Sequence, residues 1–196
     1  LQRGTPYLYQ GDELGMTNYP FRTIEEFDDI ESVNYFHESV RQGEDPDDVL
    51  ARLRAMSRDN ARTPMQWDDS PQAGFTTGTP WLAVNPNHVE INAARQVGVP
   101  GSVFEHHRAL IALRHQEPAV VHGDFTMLVP DDDQLFAFTR RHEGTEMVVV
   151  ANFSGKPAEL PGVLADRCEG AELVIGDRTS TDLLPWESRV YRRAVS

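Results

Sequence analysis

Apolar positions change their spacing several times along the chain, and each change predicts a different kind of element. Thr5-Pro6-Tyr7-Leu8-Tyr9-Gln10 is a short aromatic run closed by Gly11 and Gly15, which predicts one buried strand leading into a loop. Nothing strand-like follows for a long stretch, so its neighbours are expected upstream of Leu1. From Thr23 to about Ser57 the spacing is helical. Thr23-Ile24-Glu25-Glu26 has the form of a capping box, and Asp45-Pro46-Asp47-Asp48 sets an acidic cap, a first-turn proline and further acids where the helix dipole favours them. One helix is predicted from about Ile30 to Gln42, ended by Gly43. A second, from Pro46, carries Val49, Leu50, Leu53 and Met56 on one stripe.

Arg58 to about Gly101 is rich in Pro, Gly, Asn, Thr and Trp and keeps neither period. A loop of that length inside a compact domain is usually functional or disordered, and its rings Trp67, Phe75 and Trp81 argue against disorder. Ser102-Val103-Phe104-Glu105 is a further capping box. It opens a helix to about Gln116 with Val103, Phe104, Leu110, Ile111 and Leu113 on a broad face, stopped by Pro118. After Val120 the pattern becomes that of strands: 125–129, 135–139, 147–153, 173–175 and 189–192, separated by Asp131-Asp132-Asp133, Glu143-Gly144 and Ser154-Gly155-Lys156-Pro157. These predict a small antiparallel β-sandwich. The domain boundary falls between Glu117 and Gly123, giving 1–118 and 119–196.

Composition narrows the partners. With 31 Asp plus Glu against 18 Lys plus Arg in 196 residues, the formal net charge of -13 argues against nucleic acid or an anionic membrane as a partner. Lys156 is the one lysine, so almost all positive charge is arginine, which either suits bidentate contacts with carboxylates and hydroxyl-rich ligands or reflects genomic composition alone. Cys168 is the single cysteine, which rules out an internal disulfide and a zinc site of paired cysteines. No apolar run approaches a membrane span. The first residues, Leu1-Gln2-Arg3-Gly4, are neither an initiator Met nor a signal peptide, so the chain is expected to continue something longer, with the cytoplasm as the favoured compartment.

Generic catalytic signatures are absent: there is no nucleophile elbow, phosphate loop, paired-histidine zinc helix or dinucleotide glycine pattern. His106, His107 and His115 lack the i, i+4 spacing of helical metal ligands, and Asp131-Asp132-Asp133 lacks the alternation and glycine of a calcium loop. No metal site and no cofactor are therefore expected. Two stretches carry chemistry, residues 10–18 (Gln-Gly-Asp-Glu-Leu-Gly-Met-Thr-Asn) and 57–68 (Ser-Arg-Asp-Asn-Ala-Arg-Thr-Pro-Met-Gln-Trp-Asp). The first sets carboxylates just after a strand, where barrel active-site loops emerge. The second sets arginines, amides and an aromatic on one loop, a set that can bond hydroxyl pairs and cover apolar sugar faces. From chemistry alone, a salt-bridged loop with packed aromatics accounts for both.

Resemblance changes that balance. Residues 4–16, Gly-Thr-Pro-Tyr-Leu-Tyr-Gln-Gly-Asp-Glu-Leu-Gly-Met, resemble the last barrel strand and following loop of the α-amylase family of glycoside hydrolases, in its oligo-1,6-glucosidase and α-glucosidase branch. Residues 57–68, Ala73-Gly74-Phe75-Thr76 and Pro80 to Asn87 resemble the same branch in the same order, and 27–34 more loosely. The resemblance implies the carboxy-terminal end of a (β/α)8 barrel of the TIM type, its last strand at about Pro6 to Gln10 and its last helix at Ser102 to Gln116, followed by an antiparallel β-sandwich.

It also implies an exo-acting, retaining α-glucosidase acting on small gluco-oligosaccharides, whose aspartate nucleophile, glutamate acid/base and second aspartate lie in motifs before the segment that matches Leu1. No catalytic residue is assigned within this chain, and the missing amino-terminal barrel portion is its expected partner. Arg62 matches the family arginine that pairs with an upstream aspartate and holds the terminal glucose, and Glu13 matches the acid lining the next subsite. Arg58, Asp59 and Asn60 fit either binding or loop scaffold, and Trp67 and Trp81 read as packing anchors rather than sugar platforms. The rival expectations are a glucosyl-transferring or isomerising relative such as trehalose synthase, sucrose isomerase or a phosphorylated-disaccharide hydrolase, and a non-catalytic sugar-binding or structural module.

Overall fold

The structure, a computed structural model, describes residues 1–177 and 181–195. Its contacts divide the chain into two compact units, Tyr7–His107 on the one hand and Leu1–Pro6 with Arg108–Ser196 on the other.

In the unit 7–107 both predicted helices form, the second with its predicted acidic cap and the first with a cap, Asp29, that the sequence pattern does not single out. Helix α1 spans Ile30–Arg41, and the Asp29 carboxylate at its N-cap accepts from the Ser32 amide at 3.1 Å. Helix α2 spans Pro46–Met56, with Asp45 accepting from the Asp47 amide at 2.8 Å and Pro46 in the first turn. Val49, Leu50 and Leu53 of α2 are buried with Phe21, Ile24 and Phe27, against which Val33 and Phe36 of α1 pack. Met56, expected on that stripe, ends the helix beyond this cluster and is exposed. The Thr23 box yields only a single 3₁₀ turn, Ile24–Glu26: the Thr23 side chain caps nothing, and Glu26 reaches back to the Arg22 amide instead.

Residues 57–101 are irregular, as their composition predicts, with 3₁₀ turns at Arg58–Arg62, Pro71–Gly74 and Pro86–Val89 and one helical turn, α3, at Ala93–Gln96. Helix α4 runs Val103–Gln116. Half of its predicted capping box forms: Ser102 Oγ accepts from the Glu105 amide at 3.2 Å, while Glu105 turns to the Gly98 amide at 2.7 Å.

Residues 6–10, expected as a barrel strand, form no ladder, and Tyr7 is 92% exposed. A strand is defined by hydrogen bonds to a neighbour, and among the described residues no segment offers one here.

In the other unit, Pro118 does more than stop a helix: it takes the first-turn position of a short new one, α5, Pro118–His122. The predicted strands appear as β1 Asp124–Met127, β2 Leu135–His142, β3 Thr145–Asn152, β4 Glu172–Ile175 and β5 Ser188–Ala194. Helix α6 lies between β3 and β4 in sequence, at Gly162–Cys168. The expected antiparallel β domain is a five-stranded sheet in the order β1-β2-β3-β5-β4, with an isolated bridge joining Ala158 to Leu183. Register between β2 and β3 is set by the two-residue turn Glu143-Gly144, where both φ values are positive (43° and 78°), as a type I′ hairpin requires.

Both sheet faces are buried. Val148, Val150 and Tyr191 pack with Leu164 of α6 and with Ala158 and Leu183, while Met147, Val149 and Val190 pack with Leu113 of α4 and Ala119 and Val120 of α5. That two-sided burial explains why β3 reads as a continuous apolar run rather than an alternation.

Arg140 of β2 is fully buried, and among the described residues its hydrogen bonds go to backbone carbonyls. Its guanidinium donates to the carbonyls of Gly123 (2.9 and 3.2 Å), Val121 (3.4 Å) and Leu1 (3.0 Å), so a strand side chain caps the end of α5. Burial, with Arg114 nearby, lowers its pKa from the ordinary arginine value. Gly123 is needed for room: a Cβ there would lie 2.3 Å from the Ala119 carbonyl oxygen and 2.9 Å from the Arg141 amide, both backbone atoms. Gly123→Ala is therefore expected to destabilise this unit by about 1–3 kcal/mol, seen as a lower urea midpoint with an unchanged m-value. A midpoint equal to the parent's would show that α5 and β2 are free to separate.

No helix among the described residues is long and apolar enough to cross a membrane.

Candidate functional site

The turn Arg58–Arg62 starts where α2 ends. Ser57 leaves the helix with φ -63° and ψ 142°, and its hydroxyl accepts from the Asp59 amide at 3.3 Å, so the chain winds into a 3₁₀ turn rather than continuing the helix. Most of the polar groups of this turn are then engaged by segments distant in sequence. Asp59 is fully buried, and its Oδ2 accepts from the amides of both Asp28 and Asp29 at 2.8 Å. Asn60 accepts from the Tyr19 amide at 3.1 Å and donates to the Arg54 carbonyl at 2.9 Å. Arg58 bonds Asp29 at 2.7 Å and pairs with Glu31 at 3.1 Å. Of the two roles left open for Arg58, Asp59 and Asn60, these bonds are those of scaffold.

Arg62 is different. Its side chain is 44% exposed, and among the described residues its one ion-pair partner is Asp59, at 3.4 Å. The guanidinium lies over the Trp81 ring, 5.0 Å from the centroid. A guanidinium has five N–H donors in a fixed fork, so most of the donor capacity of Arg62 is open. Trp81, expected as a packing anchor, is 58% exposed, and Trp67 and Phe75 are also exposed rather than buried.

Glu13 sits in the 3₁₀ turn Asp12–Leu14, half-buried, with Oε2 accepting from the Gly11 amide at 2.8 Å. Gly11 has φ +97°, and a Cβ on it would meet Met16 Sδ at 2.8 Å, so glycine satisfies both conformation and space at this turn. No hydrogen bond or ion pair joins Glu13 to Arg62 among the described residues.

What holds the two motifs is a set of amide side chains. Asn85, almost wholly buried, donates to the carbonyls of Thr17 (3.0 Å) and Asn18 (3.1 Å), and Asn87 donates to Thr17 Oγ1 at 2.9 Å. Asn18 donates to the carbonyls of Arg54 and Ala55, both at 3.1 Å, and Gln96 to that of Leu14 at 2.8 Å. Gln66 bonds Asn87 at 3.1 Å. Sequence reasoning missed this scaffold. Its one signal was the wealth of Asn and Pro in a loop with no period, since buried loop backbone must find partners somewhere.

Asp29 links the turn to α1. Burial pushes its carboxyl up, but hydrogen bonds from Ser32 and Arg58 outweigh that effect and hold it below the ordinary aspartate value. A folded-state pKa below the unfolded one means that its stabilisation is present above the unfolded value and is lost as pH falls through the folded one. The urea midpoint is therefore expected to fall below about pH 4. Asp29→Asn should be less stable at neutral pH yet flatter in that acid range; a variant with the parent's acid slope would assign the sensitivity to other carboxylates.

A groove of about 500 Å³ is lined by Tyr35 of α1, Leu53 and Met56 of α2, and Asp29 and Arg58; neither Arg62 nor Glu13 lines it. Among the described residues no group of three or more His, Cys, Asp or Glu side chains is placed to hold a metal ion.

Residues 1–123 match the family described as alpha amylase, catalytic domain, and residues 125–182 that described as maltogenic amylase, C-terminal domain. The chain is 43% identical over 199 residues to an oligo-1,6-glucosidase of Halalkalibacterium halodurans, which covers 96% of this chain and 35% of the relative. It is 46% identical over 160 residues to a glucan 1,6-alpha-glucosidase of Streptococcus pneumoniae, covering 82% and 30%. The crystal structure of a trehalulose synthase from Pseudomonas mesoacidophila superposes with a TM-score of 0.87 at 44% identity, covering 97% of this chain and 36% of that one. The chain thus spans about a third of the length of the relatives it matches.

Proposed function

This chain belongs to the alpha-amylase family of glycoside hydrolases, and from that membership we propose that it is the carboxy-terminal part of a retaining, exo-acting α-glucosidase. Its substrates are short α-linked gluco-oligosaccharides. The single observation that carries the reading is Arg62: a guanidinium held by a buried aspartate and an aromatic ring, with most of its donors open, in a loop whose other polar residues serve as scaffold. In this reading Arg62 pairs with an upstream aspartate to hold the terminal glucose and close the pocket behind it, so that cleavage proceeds from chain ends. Glu13 lines the adjoining subsite, and its bond to the Gly11 amide fixes its direction.

A retaining hydrolase uses two carboxyl groups about 5 Å apart, one as nucleophile and one as proton donor. We assign neither to this chain and place both in the barrel portion that precedes it, with 1–118 completing that barrel and 119–196 forming the carboxy-terminal domain. The test is an aryl α-glucoside assay of this chain alone and of the polypeptide with the preceding barrel portion joined to it. Turnover is expected from the joined polypeptide only; appreciable turnover by the chain alone would overturn the division of labour.

A second reading is favoured by the likeness to a trehalulose synthase: transfer or isomerisation of the glucosyl unit in place of hydrolysis. Product analysis of the joined polypeptide with maltose, isomaltose, sucrose and trehalose separates the two, since hydrolysis releases glucose and isomerisation conserves the disaccharide.

A further inference from the structure

We infer that Trp81 is a positioning residue for Arg62, setting the direction of its guanidinium by stacking. The inference rests on the proposed role of Arg62 in holding a terminal glucose and extends it to a residue that need not touch the sugar. Trp81 is neither a core anchor nor an unattached surface ring. It is 58% exposed, and one side of its ring is occupied by a guanidinium 5.0 Å from the centroid.

The ring is held in place through the residues on its carboxy-terminal side. Leu82 is buried, and Asn85 bonds two carbonyls of the 11–19 loop, so the backbone carrying the ring is tied down there. Arg62 has a fixed partner at one edge, Asp59, itself held by two backbone amides at 2.8 Å. That edge contact is long, at 3.4 Å, and one such contact leaves a four-torsion side chain free to swing. The ring adds a second constraint, on the face rather than the edge. Two constraints on different sides of a planar group fix its orientation, and they leave the remaining fork of donors directed at a ligand. A pre-set donor fork also spares the binding step the loss of side-chain freedom.

The test is a double-mutant cycle in the joined polypeptide, read as kcat/KM on an aryl α-glucoside for the parent, Trp81→Leu, Arg62→Ala and the double variant. Trp81→Leu is expected to lower kcat/KM about 3- to 10-fold in the parent, the range of an exposed to partly desolvated cation–π contact, and to change nothing further once Arg62 is alanine. Trp81→Phe keeps an aromatic face and should retain most of the parental value. Should the leucine variant not fold, Trp81→Met completes the same cycle. Equal factors in both backgrounds would overturn the inference while leaving the role of Arg62 intact, because Trp81 would then act on sugar or fold by itself. An Arg62→Ala variant with parental kcat/KM would instead overturn the subsite reading, and the inference with it.

Discussion

Arg62→Lys in the joined polypeptide is expected to lower kcat/KM on an aryl α-glucoside by about 100-fold, although the charge is conserved. The reason lies in shape. Arginine meets two neighbours, the buried Asp59 at one edge and the Trp81 ring on a face, and in the proposed reading a sugar takes the open remainder of its fork. An ammonium is a point charge with three donors and no flat face, so it keeps the pull of Asp59 and loses both the stack and the paired donors. Losing two paired donors, at about 0.5–1.5 kcal/mol each, and a cation–π stack, at about 0.5–1 kcal/mol, removes about 1.5–4 kcal/mol, and roughly 2.7 kcal/mol corresponds to 100-fold. Steady-state kinetics check it; a lysine variant within about threefold of the parent would show that only charge matters at this position.

Asp59→Ala carries the largest expected loss of stability, about 3–5 kcal/mol. The carboxylate is fully buried, and its removal orphans the amides of Asp28 and Asp29 together with one edge of Arg62. Those two amides lie at the start of α1, so the damage extends to the cap that Asp29 provides for that helix. Asp59→Asn keeps one oxygen of similar reach and should lose less. Urea unfolding of the two variants is the measurement, and a loss below about 1 kcal/mol for alanine would mean that the turn Arg58–Arg62 is held from elsewhere.

Helices α1 and α2 could be read from the sequence because their signals are local: an aspartate, a proline and a glycine at fixed offsets from an apolar stripe. The hairpin of β2 and β3 could be read for the same reason, since Glu143-Gly144 specifies its own turn. Residues 6–10 show the limit. Their composition is that of a strand, but a ladder is a property of two segments, and a sequence window contains one. The scaffold of the site was hidden in the same way. Asp59 bonds amides about thirty positions earlier, and Asn85 reaches carbonyls nearly seventy positions away. Nothing in the local pattern distinguishes those side chains from solvated loop residues. Arg62 was nominated through likeness to a family, whereas its setting beside Asp59 and Trp81 emerged only when the turn was folded.

The amide scaffold also gives the loop a chemical lifetime. Asn and Gln are the thermolabile side chains, and hydrolysis of an amide replaces a donor by a carboxylate that can only accept. At Asn18, followed by Tyr19 and donating to the carbonyls of Arg54 and Ala55, that change would set an anion against two acceptors. Asn85 is spared, because Pro86 has no amide N–H to attack its side chain. Such a lesion cannot be refolded away. Prolonged heating is therefore expected to add covalent loss at Asn18 to unfolding, loosening the motif that carries Glu13 from the end of α2.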